Sequence, residues 1–182
     1  PGVTLVAVAG RGAASRGERL AREHGLAYVA GREALLAQRP DAVVEAASHE
    51  AVREHLVPLL EAGVGVVVLS AGALADDSLR GAAEQAAART SAPFLVPSGG
   101  IGGLDALRTA CLAGVDEVSI QVAKSPAAWR GIPYVEKLGA NLEGACTLYD
   151  GPAREGVSYF PQNVNIASPG ANNRVCPVRW TT

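Results

Sequence analysis

The sequence predicts an α/β protein built on a doubly wound parallel sheet and followed by part of a second, α+β domain. Three observations predict it. Short apolar runs alternate with helix-period segments through residues 3–113, the rhythm of repeated βα units. The loops after the apolar runs are polar or glycine-rich, as loops facing a ligand at the carboxyl ends of parallel strands are. From residue 115 the rhythm breaks, and a strand pattern with one polar face appears.

Residues 3–9, Val-Thr-Leu-Val-Ala-Val-Ala, read as a buried strand, and the helix near residues 15–24 stops at Gly25, a C-cap residue. Residues 27–30 form a short second strand, residues 33–38 a short helix ended near Pro40, and residues 42–46 a third strand. The hydroxyl of Ser48 can accept a first-turn N–H, so a helix runs from there to residues 61–63. Residues 64–69 are the fourth strand. Asp76-Asp77-Ser78 opens an alanine-rich helix to residue 89, and residues 94–96 are a fifth strand feeding a glycine loop and a helix over 104–113. Beyond it, residues 118–122 alternate as a strand, a Trp/Pro/Gly loop follows, residues 144–148 read as another strand and residues 152–158 as a short helix. The last stretch, 168–182, holds Pro, Gly and Asn with no apolar period and reads as irregular.

Hydrophobic content of 48% with 19% charged residues describes an ordinary globular chain, and a net charge of −2 with 4% aromatics carries no nucleic-acid footprint. A small-molecule partner is expected. The three cysteines, Cys111, Cys146 and Cys176, form no Cys-x-x-Cys pair, and no His stands at metal-ligand spacing, which points away from metal and disulfides and towards a reducing cytoplasm. Apolar stretches are of strand length, far below the ~20 residues that span a bilayer. The chain contains no methionine and begins Pro1-Gly2, so a fragment or trimmed product is expected.

Four loops that follow strands, Gly10-Arg11-Gly12, Ala47-Ser48-His49, Ser70-Ala71-Gly72 and Ser98-Gly99-Gly100, converge on one crevice in a doubly wound sheet. Gly10-Arg11-Gly12-Ala13-Ala14-Ser15 nearly matches the dinucleotide fingerprint, but no acid ends the next strand, Tyr28-Val29-Ala30-Gly31-Arg32. Residues 3–9 are therefore read as the second strand of the sheet, with the first βα unit and its phosphate loop missing. Arg11 then stands where an acid would hold the 2′-hydroxyl of NAD, and a guanidinium there suits the 2′-phosphate of NADP; a solvated surface arginine is the alternative. The segment Pro97-Ser98-Gly99-Gly100-Ile101-Gly102-Gly103-Leu104-Asp105 allows close backbone approach to a polar ligand, or makes a tight turn. Asn163 and Asn165, two apart on an extended run, present amides on one side, to a carboxamide or amino acid or merely within a turn after Pro161. Of the histidines, His24 falls at a helix end, His49 in a first helical turn and His55 in mid-helix; none pairs with a nucleophile. Glu45 is expected to hydrogen-bond locally and Asp105 to compensate a helix dipole. No residue is assigned as catalytic and none as a metal ligand.

The segment from Pro97 to Leu107 resembles the P-S-G-A-I-G-G-L-D-x-L stretch of the L-aspartate dehydrogenase family, and Phe160-Pro161-Gln162-Asn163-Val164-Asn165-Ile166-Ala167 resembles that family's F-P-x-N-x-N-V-A. Val43-Val44-Glu45-Ala46-Ala47-Ser48 and the loop from Lys124 to Gly131 are also similar to family segments. The resemblance implies a Rossmann-type domain binding NAD or NADP over residues 1–114, and a partial α+β catalytic and oligomerisation domain over 115–182. It implies hydride transfer from Cα of L-aspartate to the cofactor, giving iminoaspartate, then oxaloacetate and ammonia, with a link to NAD biosynthesis. Gly100 falls where the family has a cofactor-contacting alanine, and Asn165 where it has a cofactor-contacting asparagine; Ser48 and Ser70 complete the expected cofactor contacts with Arg11. A homo-oligomer is expected, with neither nucleic acid nor membrane as partner. The family's amino-terminal glycine unit and its carboxyl-terminal histidine stretch have no counterpart here, and Ser168-Pro169-Gly170 stands where an alanine-rich helix continues. The expectation is a truncated or frame-disrupted copy, with two alternatives: an inactive fragment that folds and self-associates, or a related homoserine or sugar dehydrogenase. A sugar oxidoreductase would carry a Lys-Pro pair where Ser70-Ala71-Gly72 stands.

Overall fold

The computed structural model describes residues 2–12, 14–98, 103–142, 146–160 and 176–181. It comprises two compact units, Pro1–Val96 and Pro97–Thr182. This division falls ahead of the helix over residues 104–113, which the sequence-based boundary at 114 groups with the first domain.

The first unit runs β1 (Ala7–Gly10), α1 (Arg16–Glu23), β2 (Ala27–Ala30), α2 (Arg32–Leu36), β3 (Ala42–Glu45), α3 (His49–Glu61), β4 (Gly65–Val68), a 3-10 turn (Ala71–Ala75), α4 (Asp77–Thr90) and β5 (Phe94–Leu95). A helix follows each of the first four strands, and every ladder is parallel. Helix α3 buries Val52, Leu56, Leu59 and Leu60, spaced i, i+4, i+7 and i+8, so one stripe faces inward. That stripe packs with Val66 and Val68 of β4 and with Ala83 and Ala86 of α4. Each fully buried Leu contributes about 1.5–3 kcal/mol through area removed from water. Pro58 lies inside α3 and cannot donate to the carbonyl of Glu54; Arg32 Nη1 donates to that carbonyl from outside, at 3.4 Å.

The parallel βα architecture of a doubly wound sheet is present. The strands make two sheets, β1-β2 and β3-β4-β5, and among the described residues no ladder joins β1 to β3. Their orders and parallel sense match the two flanks of a sheet ordered 3-2-1-4-5-6, in which the strands corresponding to β1 and β3 are not neighbours. The first strand is shorter than expected. It starts at Ala7, and Val3, Leu5 and Val6 are exposed rather than buried. An apolar run reports hydrophobicity but not what covers it, and β1 can pair only along the four residues that β2 offers.

The second unit contains α5 (Leu104–Ala113), β6 (Ser119–Lys124), a 3-10 turn (Pro126–Ala128), α6 (Pro133–Leu138), β7 (Tyr149–Pro152), α7 (Ala153–Tyr159) and β8 (Cys176–Thr181). The sheet order is β6-β8-β7, with β8 antiparallel to β6 and parallel to β7. Three expectations are corrected. Helix α6 stands in the supposed Trp/Pro/Gly loop, with Pro133 in its first turn and Gly139 left-handed at φ 59° just past its end, the asymmetry that favours helices. Of the strand expected at 144–148, residues 144 and 145 lie outside the described residues, and 146–148 form no strand: β7 begins at Tyr149, and Cys146 and Leu148 are apolar through packing on the core. Residues 176–181, read as irregular, form β8; their partners lie far away in sequence, and the turn-rich residues before them hide the pattern. The core here is aromatic, with Trp129 edge-on to Phe160 at 5.6 Å between ring centroids and Tyr134 stacked on Tyr159 at 4.3 Å.

Candidate functional site

The carboxyl ends of β3 and β4 are joined by one side chain. Glu45, the last residue of β3, accepts through Oε1 from the backbone N–H groups of Ala47 at 2.8 Å and Ser48 at 3.0 Å, and from the Ser70 hydroxyl at 3.0 Å. Its Oε2 accepts from the Ser70 N–H at 3.0 Å, and its carbonyl from the Leu69 N–H at 3.0 Å. The local bonding expected of Glu45 is present, and it reaches across to the neighbouring strand as well. Two of the expected cofactor residues, Ser48 and Ser70, are thereby brought to the same carboxylate.

The two serines are used differently. Ser48 caps α3: its oxygen accepts from the Ala51 N–H at 3.2 Å, satisfying a donor that a helix start leaves unpaired. Its hydroxyl also lies against Glu50, whose carboxyl is held below its usual range first by its own backbone N–H and then by Ser48. Ser70 precedes the 3-10 turn and makes no side-chain cap. An ionised carboxylate only accepts, so the Ser70 proton is committed to Glu45, and among the described residues nothing donates to the Ser70 oxygen.

The loop after β1 closes on Tyr28 of β2. The phenol donates to the Gly12 carbonyl at 2.7 Å and accepts from the Gly12 N–H at 3.3 Å and the Ser15 hydroxyl at 3.0 Å. A Cβ on Gly10 would run into the Tyr28 oxygen, so a side chain of the same fold already accounts for a glycine here. Ser15 caps α1, accepting from the Glu18 N–H at 3.1 Å. Arg11 projects from this loop and is exposed. Gly100, Asn163 and Asn165 lie outside the described residues. His24 is the C-cap of α1 and His49 the first residue of α3, while His55 Nε2 lies 3.8 Å from Glu54. Among the described residues no group of three His, Cys, Asp or Glu could hold a metal ion, and no helix is long and apolar enough to cross a membrane.

In the second unit, Lys124 is buried at 6% exposure with Nζ 5.4 Å from the Trp129 ring centroid, and its burial lowers its pKa. Sequence reasoning missed Tyr28 and the reach of Glu45. The available signal for Tyr28 was a glycine at a strand end with a large polar-tipped residue in the next parallel strand.

Residues 1–97 match the family described as homoserine dehydrogenase, NAD binding domain, and residues 105–171 match aspartate dehydrogenase, C-terminal. L-aspartate dehydrogenase of Ralstonia nicotianae is 40% identical over 133 residues, covering 72% of this chain and 50% of that protein. L-aspartate dehydrogenase 2 of Bordetella bronchiseptica is 44% identical over 146 residues, covering 79% of this chain and 54% of that protein. The crystal structure of aspartate dehydrogenase from Thermotoga maritima shares the fold, with a TM-score of 0.60 at 23% identity over 99% of this chain and 79% of that one. The chain spans about half the length of the curated relatives it matches.

Proposed function

The chain belongs to the L-aspartate dehydrogenase family, with a Rossmann-type NAD-binding first half, and from that premise we propose that it serves an oxidoreductase moving hydride from Cα of L-aspartate to NAD+ or NADP+. The product is iminoaspartate, which hydrolyses to oxaloacetate and ammonia or feeds NAD biosynthesis. What carries the reading is the tandem of an NAD-binding match over residues 1–97 and an aspartate dehydrogenase C-terminal match over 105–171.

The residues present fit a nicotinamide dinucleotide. Ser48 and Ser70 bring two hydroxyls to the carboxyl ends of two parallel strands, where doubly wound sheets take ligands. When bound, the cofactor supplies the hydride acceptor. Ser48 and Ser70 would hold its polar groups, Arg11 would face a 2′-phosphate, and Gly100 and Asn165 would complete the contacts. The Glu45 bonds keep the β3 and β4 loops in fixed relation while this happens. No side chain of the chain is assigned the proton transfers.

The same reading takes residues 1–114 as the cofactor domain and 115–182 as part of a catalytic domain through whose sheet the protein self-associates. It places the protein in the cytoplasm, with L-aspartate as its partner and no nucleic acid or membrane. Calorimetric titration with NADH and NADPH tests it. Binding of at least one is expected with Kd below about 1 mM; no heat from either at that concentration overturns the reading.

A further inference from the structure

We infer that Glu45 is a positioning residue that fixes the Ser70 hydroxyl as a hydrogen-bond acceptor for a donor on the nicotinamide-riboside end of the cofactor. The inference rests on the cofactor reading above and goes beyond it by assigning a polarity to the contact and a residue that sets it.

The chemistry follows from the bonds. A serine hydroxyl has one proton and two lone pairs, and in solution its proton rotates to whichever partner is offered. Here the proton is taken, because Glu45 Oε1 sits 3.0 Å from Ser70 Oγ and can only accept. Rotation is further restrained, since Glu45 Oε2 holds the backbone N–H of the same residue at 3.0 Å. Ser70 is therefore gripped at two points by one carboxylate. Its oxygen carries lone pairs that no described residue uses, and it stands just past the carboxyl end of β4. Ser48 provides an internal contrast: it touches the same Oε1 through its N–H at 3.0 Å, yet its oxygen is occupied by the cap to Ala51.

An oxygen that can only accept selects a group that donates. Strands β3, β4 and β5 correspond to 4, 5 and 6 of the 3-2-1-4-5-6 order, its second mononucleotide-binding half, and the nicotinamide end of a dinucleotide offers two such groups, the N–H of the carboxamide and the hydroxyls of the adjoining ribose. A hydroxyl serine free to rotate would serve either a donor or an acceptor; the Glu45-bound one discriminates between them. Glutamine at position 45 loosens this grip, because its single oxygen stays with the Oε1 donors and its N–H2 meets the Ser70 N–H in place of an acceptor.

The test compares Glu45→Gln, Ser70→Ala and Ser70→Thr with the unsubstituted chain in calorimetric titrations against NADH, ADP-ribose and ADP. Glu45→Gln and Ser70→Ala are expected to weaken NADH binding by about tenfold, the loss of one hydrogen bond to an oriented acceptor. Ser70→Thr, which keeps the hydroxyl, restores it, and ADP binding is the same in all four proteins. A parallel loss for ADP-ribose assigns the donor to the ribose; a loss confined to NADH assigns it to the carboxamide. Undiminished NADH binding by Glu45→Gln or by Ser70→Ala overturns the inference and leaves the cofactor reading standing. Equal losses for ADP and NADH overturn it also, since the residues then act through the fold as a whole. If the unsubstituted chain binds none of the three ligands, the cofactor reading falls and takes the inference with it.

Discussion

Tyr28 and Glu45 each tie a strand of the first unit to the loop that follows its neighbour, one with a phenol and the other with a carboxylate. The phenol both donates and accepts, so the loop from Gly10 to Ser15 is satisfied within itself by Gly12 and Ser15. The carboxylate accepts and cannot donate, so it fixes the Ser70 proton and leaves the Ser70 oxygen directed elsewhere. The difference teaches where ligand chemistry can reside. Among the described residues the Arg11 side chain remains for a partner beside Tyr28, whereas beside Glu45 an oriented hydroxyl remains.

The sharpest way to break this contrast is at Tyr28. Tyr28→Phe removes three hydrogen bonds at about 1 kcal/mol each, and a loss of about 2–3 kcal/mol is expected in urea unfolding. Gly10→Ala drives a methyl into the phenol oxygen and is expected to cost about 2 kcal/mol as overpacking. The two substitutions touch one another, so the double variant should fall short of additivity; strict additivity would show that Gly10 is not held by Tyr28. Arg11→Ala sharpens the functional side: about a tenfold loss of NADPH affinity, or about 1.4 kcal/mol, with NADH affinity kept. Equal loss of both cofactors would return Arg11 to the solvated surface.

Smaller effects separate the serines. Ser48→Ala removes the cap of α3 and is expected to lower stability by about 1 kcal/mol, measured as a shift in unfolding midpoint. The same substitution should flatten the acid limb of the stability profile. The Glu50 carboxyl is lowered from 4.5 in the folded chain, so the unfolded chain takes up the proton first as pH falls. The stability this provides is present above that unfolded value and is lost as pH drops through the folded one. Unfolding midpoints followed from about pH 5 to about pH 3 should therefore fall less steeply for Ser48→Ala than for the unsubstituted chain.

The βα rhythm of the first unit was legible because each element announces itself locally: the Val52, Leu56, Leu59, Leu60 stripe, the Ser48 cap and the Asp76 cap all act within one or two helical turns. The second unit was less so. β8 is defined by partners in β6 and β7 rather than by its own residues, and the start of β7 is hidden by Cys146 and Leu148, which pack on the core and carry no ladder. Helix α6 did carry its signals, Pro133 and Gly139, but the glycine and tryptophan ahead of it read as loop. At the site, the serines were visible from their places after strands. The cross-strand bonds of Glu45 and Tyr28 were not, because a hydrogen bond between strands depends on register, which no single segment records.

The outer strand of the β3-β4-β5 sheet has a consequence for handling. β5 ends that sheet among the described residues, and an edge carries a row of backbone donors and acceptors that a foreign strand can match. Leu95, 57% exposed, adds an apolar flank there, and a lysine in its place is the simplest gatekeeper against strand-by-strand accretion.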